Sequence, residues 1–89
     1  MTQIFLKDPN EVLDYTIDWE EWLDSDTIST SNWTVATGIT QDSASNTATT
    51  ATIWLSGGTA SIRYTATNRI VTAAGRTADR TIYLDILDR

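Results

Sequence analysis

Cysteine and histidine are absent from this 89-residue chain, and proline occurs once. Without cysteine no disulfide can staple the fold, so packing alone must hold it, in keeping with synthesis in a reducing cytoplasm. Without histidine or cysteine, the side chains most used for acid–base work near neutral pH and for zinc are reduced to carboxylates. No nucleophile–base pair can be assembled either: a serine–lysine pair would need Lys7, which lies near the start of the chain. No stretch approaches the roughly 20 apolar residues of a membrane span. The opening run Met1 to Pro9 lacks the basic and apolar regions of an export signal. A phosphate loop is missing too, because Ser56-Gly57-Gly58-Thr59 leads into a strand and not a helix N-terminus.

Positive charge is scarce and unevenly placed. The net charge is −6. Residues 1–42 carry nine acids against Lys7, whereas residues 43–89 carry five arginines against Asp79, Asp85 and Asp88. This balance argues against general nucleic-acid binding, which needs a basic footprint. The asymmetry suits head-to-tail contacts between unlike surfaces, although solvated strand faces produce it equally well. The acids of Asp18 to Asp26 invite a glycosidase-type carboxylate pair or a calcium site. An 89-residue domain leaves little room for a cleft, and the spacing matches no EF-hand loop. We read the stretch as a solvated loop or short turn and expect no cofactor, no metal and no catalysis.

What the chain has in quantity is threonine, serine and aromatic residues, which favour strands because branched and aromatic side chains pack well on a pleated surface. Leu13, Tyr15, Ile17 and Trp19 alternate with Asp14, Thr16 and Asp18, the pattern of a half-buried strand. Over 27–36 the apolar parity switches from Ile28 to Trp33 and Val35, so a bulge or a junction is expected near Ser31-Asn32. Gly38 to Asn46 reads as turn and loop. Ala51, Ile53 and Leu55 predict a strand over roughly 48–55, then Ile62, Tyr64 and Ala66 one running towards Ile70. Residues 78–87 form the last strand, with Ile82, Leu84 and Ile86 inward. Residues 1–11 look like an arm closed by Asp8-Pro9-Asn10-Glu11, in which Ile4, Phe5 and Leu6 either pair as a first strand or hook onto a partner.

About six to seven short antiparallel strands with no helical period describe an all-β sandwich over 12–89. A strand, a glycine corner, a tyrosine early in the next strand and a terminal hairpin follow the order of immunoglobulin and fibronectin-type sandwiches. There Tyr64 would bond back to the corner backbone. Trp19 and Trp33 read as core. Trp54 shares the parity of Thr50 and Thr52, so it is exposed if Ile53 and Leu55 face inward, and Trp22 is ambiguous in its acidic loop. Exposed tryptophans are candidate interface anchors.

The sequence is similar to small structural proteins of tailed bacteriophages, described as fibre–tail adaptor or minor virion proteins. The residues that carry the likeness are Asp14-Tyr-Thr-Ile-Asp-Trp19, Trp33-Thr-Val35, Ile53-Trp-Leu-Ser-Gly-Gly-Thr-Ala60, Tyr64-Thr-Ala-Thr-Asn68 and Gly75-Arg-Thr-Ala-Asp-Arg80. The resemblance spans roughly residues 8–87 and implies an immunoglobulin-like domain built into a virion in several copies, as a homo-oligomeric ring or otherwise. Its partners would be tail, fibre or portal-region proteins. Ile4, Phe5, Leu6, Trp22, Trp54, Arg69 and Arg76 are the candidate contacts, with neither nucleic acid nor membrane as partner. Two alternatives are a capsid decoration protein and a carbohydrate-binding module stacking sugars on Trp22, Trp54 and Tyr83.

Overall fold

The computed structural model describes residues 3–88. These form seven strands, β1 (Gln3–Lys7), β2 (Leu13–Asp18), β3 (Ile28–Val35), β4 (Ile39–Asn46), β5 (Thr50–Gly57), β6 (Arg63–Thr72) and β7 (Thr77–Ile86), and one short helix, α1 (Glu20–Leu23). The strands build two sheets, ordered β1-β7-β6-β3 and β2-β5-β4. If the strands are lettered A to G in chain order, C, F and G stand together and B, E and D face them. The result is an all-β sandwich of two sheets.

The core follows from alternation. Tyr15 and Ile17 of β2 and Ala51, Ile53 and Leu55 of β5 point inward from one sheet. Tyr64, Ala66 and Ile70 of β6 and Ile82, Leu84 and Ile86 of β7 meet them from the other. Cross-strand register keeps like with like: Tyr15 lies opposite Ile53, and Ala66 opposite Ile82. A slip of one residue in either pair would turn these apolar rows to water.

One polar group sits in the middle of this core. Asn68 of β6 is fully buried, and so nearly is Trp19 at the end of β2. The Trp19 indole N–H donates to Asn68 Oδ1 at 3.0 Å. The Asn68 amide then donates to Ser31 Oγ at 2.9 Å and to the Asn32 carbonyl at 3.1 Å, both on β3. The bond to Trp19 is a polar tie from one sheet to the other.

The second fixed point is the corner before β6. The Thr59 N–H donates to the Tyr64 hydroxyl at 3.0 Å, the back-bond expected for this tyrosine. Two glycines make room at this corner, one for the Tyr64 ring and one for Ile86. Gly38 (φ +106°) would place a Cβ 2.8 Å from Tyr64 Cε1, and Gly58 (φ +97°) would place one 2.9 Å from Ile86 Cδ1. Both positions thus need glycine for backbone conformation and for space.

The N-terminal segment takes the first of its two alternatives, pairing as a strand, so residues 3–7 belong to a sheet and not to a detached arm. The pairing with β7 is parallel, from Gln3 opposite Ile82 to Lys7 opposite Ile86, where antiparallel pairing was expected. No hairpin links the first and last strands, so nothing forces them antiparallel. Lys7 is fully buried at the end of β1, its ammonium donating to the carbonyls of Gly57 (2.7 Å) and Asp8 (2.9 Å). Burial lowers its pKa, while the carboxylates of Glu11, Asp8 and Asp42 pull the other way.

Other expectations need correcting. Glu20–Leu23 is a helical turn, because Trp22 and Leu23 fold back onto Trp19. Ile39–Asn46 is a full strand although only Ile39 is buried, since β5 supplies its pairing and no apolar pattern is required. The register shift in β3 lies between Ile28 and Thr30, earlier than expected. Trp33 is only half-buried, and among the described residues its indole N–H has no partner. Ile62 precedes β6 and is exposed.

Two substitutions test these fixed points. Asn68→Leu strands the Trp19 indole and should cost about 2 kcal/mol or more in urea unfolding. Combined with Trp19→Phe, the loss should be clearly less than the sum of the single costs, and additivity would mean that the two residues are uncoupled. Tyr64→Phe should lower stability by about 1 kcal/mol without altering the circular dichroism spectrum.

Candidate functional site

The two outer faces of the sandwich differ in chemistry. On the β2-β5-β4 face Trp54 stands at the centre of the sheet, opposite Asp14 on β2 and Ser43 on β4, and is 42% exposed. Hydroxyls surround it: Thr16 and Thr52 share a hydrogen bond of 2.9 Å across the strands, and Ser56 donates to Asp42 at 3.1 Å. Acids continue from this face over the end of the sandwich through Asp18, Glu20, Glu21 and Asp24. Among the described residues Asp14, Asp18, Glu20, Glu21 and Asp24 form no ion pair. No three of the described acids converge on a point where a cation could sit.

The β1-β7-β6-β3 face carries charges that cancel. Arg63 forks onto both oxygens of Asp85, and Arg69 onto both oxygens of Asp79, in each case across the β6–β7 pair. Each bidentate contact raises the pKa of its arginine and lowers that of its aspartate. Arg63 and Arg69 therefore meet acids of the neighbouring strand and not the acidic first half of the chain.

Between the faces, at the α1 end, a ladder of rings and guanidinium groups closes the sandwich. Arg80 lies 4.4 Å from the Trp19 ring, Trp19 meets Trp22 edge-on at 5.5 Å, and Arg76 lies 4.3 Å from the Trp22 ring. Arg80 also donates to the Asp18 carbonyl, and Arg76 to the Leu23 carbonyl at the end of α1. Such stacking contributes more where the ring is desolvated, as that of Trp19 is.

Asp26 ties this end to the β6–β7 hairpin. Its carboxylate accepts from the Thr27 amide (2.8 Å), the Ala74 amide (3.2 Å) and Arg76 Nε (3.1 Å). Its pKa is lowered to about 2, first by the Thr72 hydroxyl and then by the Thr27, Arg76 and Ala74 donors, against a smaller opposing effect of burial.

The sequence-derived contact residues fall in different places. Ile4 and Leu6 point outward from β1 and are 52% and 50% exposed, whereas Phe5 turns inward, its ring 4.9 Å from that of Tyr15. Trp54 is exposed, while Trp22 is half-buried under Arg76. Arg69 and Arg76 are exposed but already bound within the chain. Trp22, Trp54 and Tyr83 lie on three separate surfaces, so they do not form one stacking platform. Sequence reasoning missed Ile62 and Leu87, both exposed. The sequence carried no signal for either, because both were expected within strands, whereas β6 begins at Arg63 and β7 ends at Ile86.

The acid titration of this region has a defined sign. Asp26 has a folded pKa of about 2, below its unfolded value near 4. Its stabilising contribution is therefore complete above about pH 4 and disappears as pH falls towards 2. Asp79 and Asp85 act in the same direction. The thermal midpoint should fall steeply between about pH 4 and 2, and Asp26→Asn should lower it at pH 6 and flatten the acid limb. An unchanged limb would mean that these donors do not hold the carboxylate.

No curated protein matches the chain. Residues 7–85 match the model of a protein family, the podophage GP4 fiber-tail adaptor protein gp77. That span takes in all of the sandwich except residues 3–6 of β1 and the last residue of β7, and the chain thus belongs to this family of phage fibre–tail adaptor proteins.

Proposed function

We propose that the protein is a non-catalytic structural adaptor of the virion, present in several copies and joining tail or head–tail components, or fibres, through protein–protein contacts. The observation that carries this reading, beside the family, is the chemical difference between the two outer faces. An adaptor must hold two unlike partners at once, and a two-sheet slab offers two opposed surfaces on a rigid core. The β2-β5-β4 face, with Trp54 among hydroxyls and unpaired acids, suits a partner that brings basic or polar groups to an aromatic anchor. The β1-β7-β6-β3 face, with Ile4 and Leu6 exposed beside neutralised ion pairs, suits an apolar contact.

Purified particles test the role directly. Cryo-electron microscopy should place a small number of copies between tail and fibres, and mass spectrometry should find the chain in the virion. Copies in the hundreds over the shell would instead indicate a decoration protein. Absence from the particle would overturn both. Trp54→Asp should leave the fold intact and reduce incorporation into particles if the β2-β5-β4 face is engaged.

A further inference from the structure

The two sheets are unequal, four strands against three. β3 lies against β4 at one side of the sandwich, and at the other β7 meets the end of β2, where Arg80 donates to the Asp18 carbonyl. β1 therefore overhangs, and no strand stands on the outer side of β2. The core is thin there: Phe5 of β1 and Leu13 of β2 pack against it but are only half-buried. Towards α1 this side opens into a cleft of about 420 Å³, with the buried Ile17 and Ile82 at its base and Gln3, Asp18, Glu20 and Glu21 at its mouth. The β2 backbone is turned towards the opening. The Trp19 amide donates to the Thr49 carbonyl at 2.8 Å, in line with Asp18 opposite Thr50. Hydrogen-bonded pairs alternate along an antiparallel ladder, so Tyr15 and Ile17 bond to β5, and the N–H and C=O groups of Asp14, Thr16 and Asp18 point the other way. Of these groups, only the Asp18 carbonyl is bonded among the described residues, to Arg80. The edge strands β3 and β4 carry register shifts, which turn an edge away from a neighbour, whereas β2 runs without one.

We infer that a different protein of the particle adds an extended segment to the free edge of β2, with basic residues on its outer side and aliphatic residues on its inner side. In such strand addition the backbone supplies the attachment and alternate side chains choose the occupant. On the outer face the added strand runs beside the exposed Asp14, Thr16 and Asp18. Neither carboxylate forms an ion pair, and Glu20 and Glu21 extend the negative charge past the end of the strand. Arg80 lines the same cleft but is held over the Trp19 ring and on the Asp18 carbonyl, and Glu11 before β2 accepts the Asp8 amide. Opposite charges facing each other across neighbouring strands stabilise the pairing, and like charges oppose it. On the inner side, aliphatic groups cover Phe5 and Leu13 and enter the cleft over Ile17 and Ile82. Charge also excludes a second copy of this chain from the position. Its described basic side chains are engaged internally, Lys7 on carbonyls, Arg63, Arg69 and Arg76 on acids, and Arg80 at Trp19. The inference rests on the adaptor reading and deepens it by naming the kind of segment that the Trp54-bearing sheet accepts.

A synthetic peptide of alternating lysine and valine, added to the pure full-length chain, tests the edge. It should bind, and at saturation hydrogen exchange at the Asp14 and Thr16 amides should slow roughly tenfold or more. The same peptide with every amide N-methylated keeps its charge but has no backbone donors, and it should not bind. A glutamate–valine peptide should not bind either. Asp14→Lys should weaken the lysine–valine peptide roughly tenfold, because a like charge then faces the added strand. The double variant Thr30→Lys, Thr34→Lys makes the same change of net charge on β3 and should leave binding unaltered. If Asp14→Lys loses its circular dichroism spectrum, the glutamate and methylated peptides decide. Failure of the lysine–valine peptide to bind, equal binding of its methylated form, or protection elsewhere than at Asp14 and Thr16 would overturn the inference. In assembled particles, cryo-electron microscopy should show a strand of another protein beside β2. A second copy of this chain there, or an open edge, would sink the inference and leave the adaptor role standing. Peptide binding by a chain absent from particles would do the reverse.

Discussion

The Trp19 indole N–H is cut off from water, and the Asn68 amide at the centre of the opposite sheet accepts its hydrogen bond. With no disulfide available, this bond does the orienting work that a covalent staple could otherwise do. Apolar packing between two sheets is tolerant of small shifts, because hydrophobic contact has little direction. A buried amide with three bonded neighbours is not, since any displacement leaves a polar group unsatisfied in a medium of low dielectric constant. The Asn68 bonds to Ser31 and Asn32 also fix β3 against β6, so one side chain sets the spacing of the sheets and the register of an edge strand.

The rest of the architecture is arranged outward from that point. Trp19 presents its edge to Trp22, and Arg76 and Arg80 cover the rings from outside. Arg76 then meets Asp26, whose other bonds reach the backbone of the β6–β7 hairpin. The α1 end is thereby closed by a polar and aromatic lattice, while the opposite end is closed by Tyr64 packed against Gly38 and Gly58. A sandwich clamped at both ends has rigid faces, and rigid faces suit an adaptor because little conformational freedom is lost on binding.

The same arrangement explains the distribution of charge. Arg63, Arg69, Arg76 and Arg80 are used locally, across β6–β7 or at the α1 end, and Lys7 is buried on backbone carbonyls. Among the described residues Asp14, Asp18, Glu20, Glu21 and Asp24, which form no ion pair, stand on one face and one end. The asymmetry visible along the sequence is thus converted into an asymmetry between two surfaces, one acidic with an exposed tryptophan, one neutral and partly aliphatic.

Alternation alone identified β2, β5, β6 and β7 and their apolar rows, because a half-buried strand writes its two environments into successive side chains, whereas the outward position of Trp54 followed only once the structure turned Ile53 and Leu55 inward. It also marked Tyr64 as the corner residue. It could not identify β4, whose residues are almost all exposed and whose strand character comes from pairing with β5. The parallel pairing of β1, the burial of Lys7 and the partnership of Asn68 with Trp19 join residues far apart in the chain, and no local pattern records them. Which arginines are free and which apolar residues share a surface were likewise decided by folding, because both depend on what lies across a strand or across the sandwich and not on the neighbours in sequence.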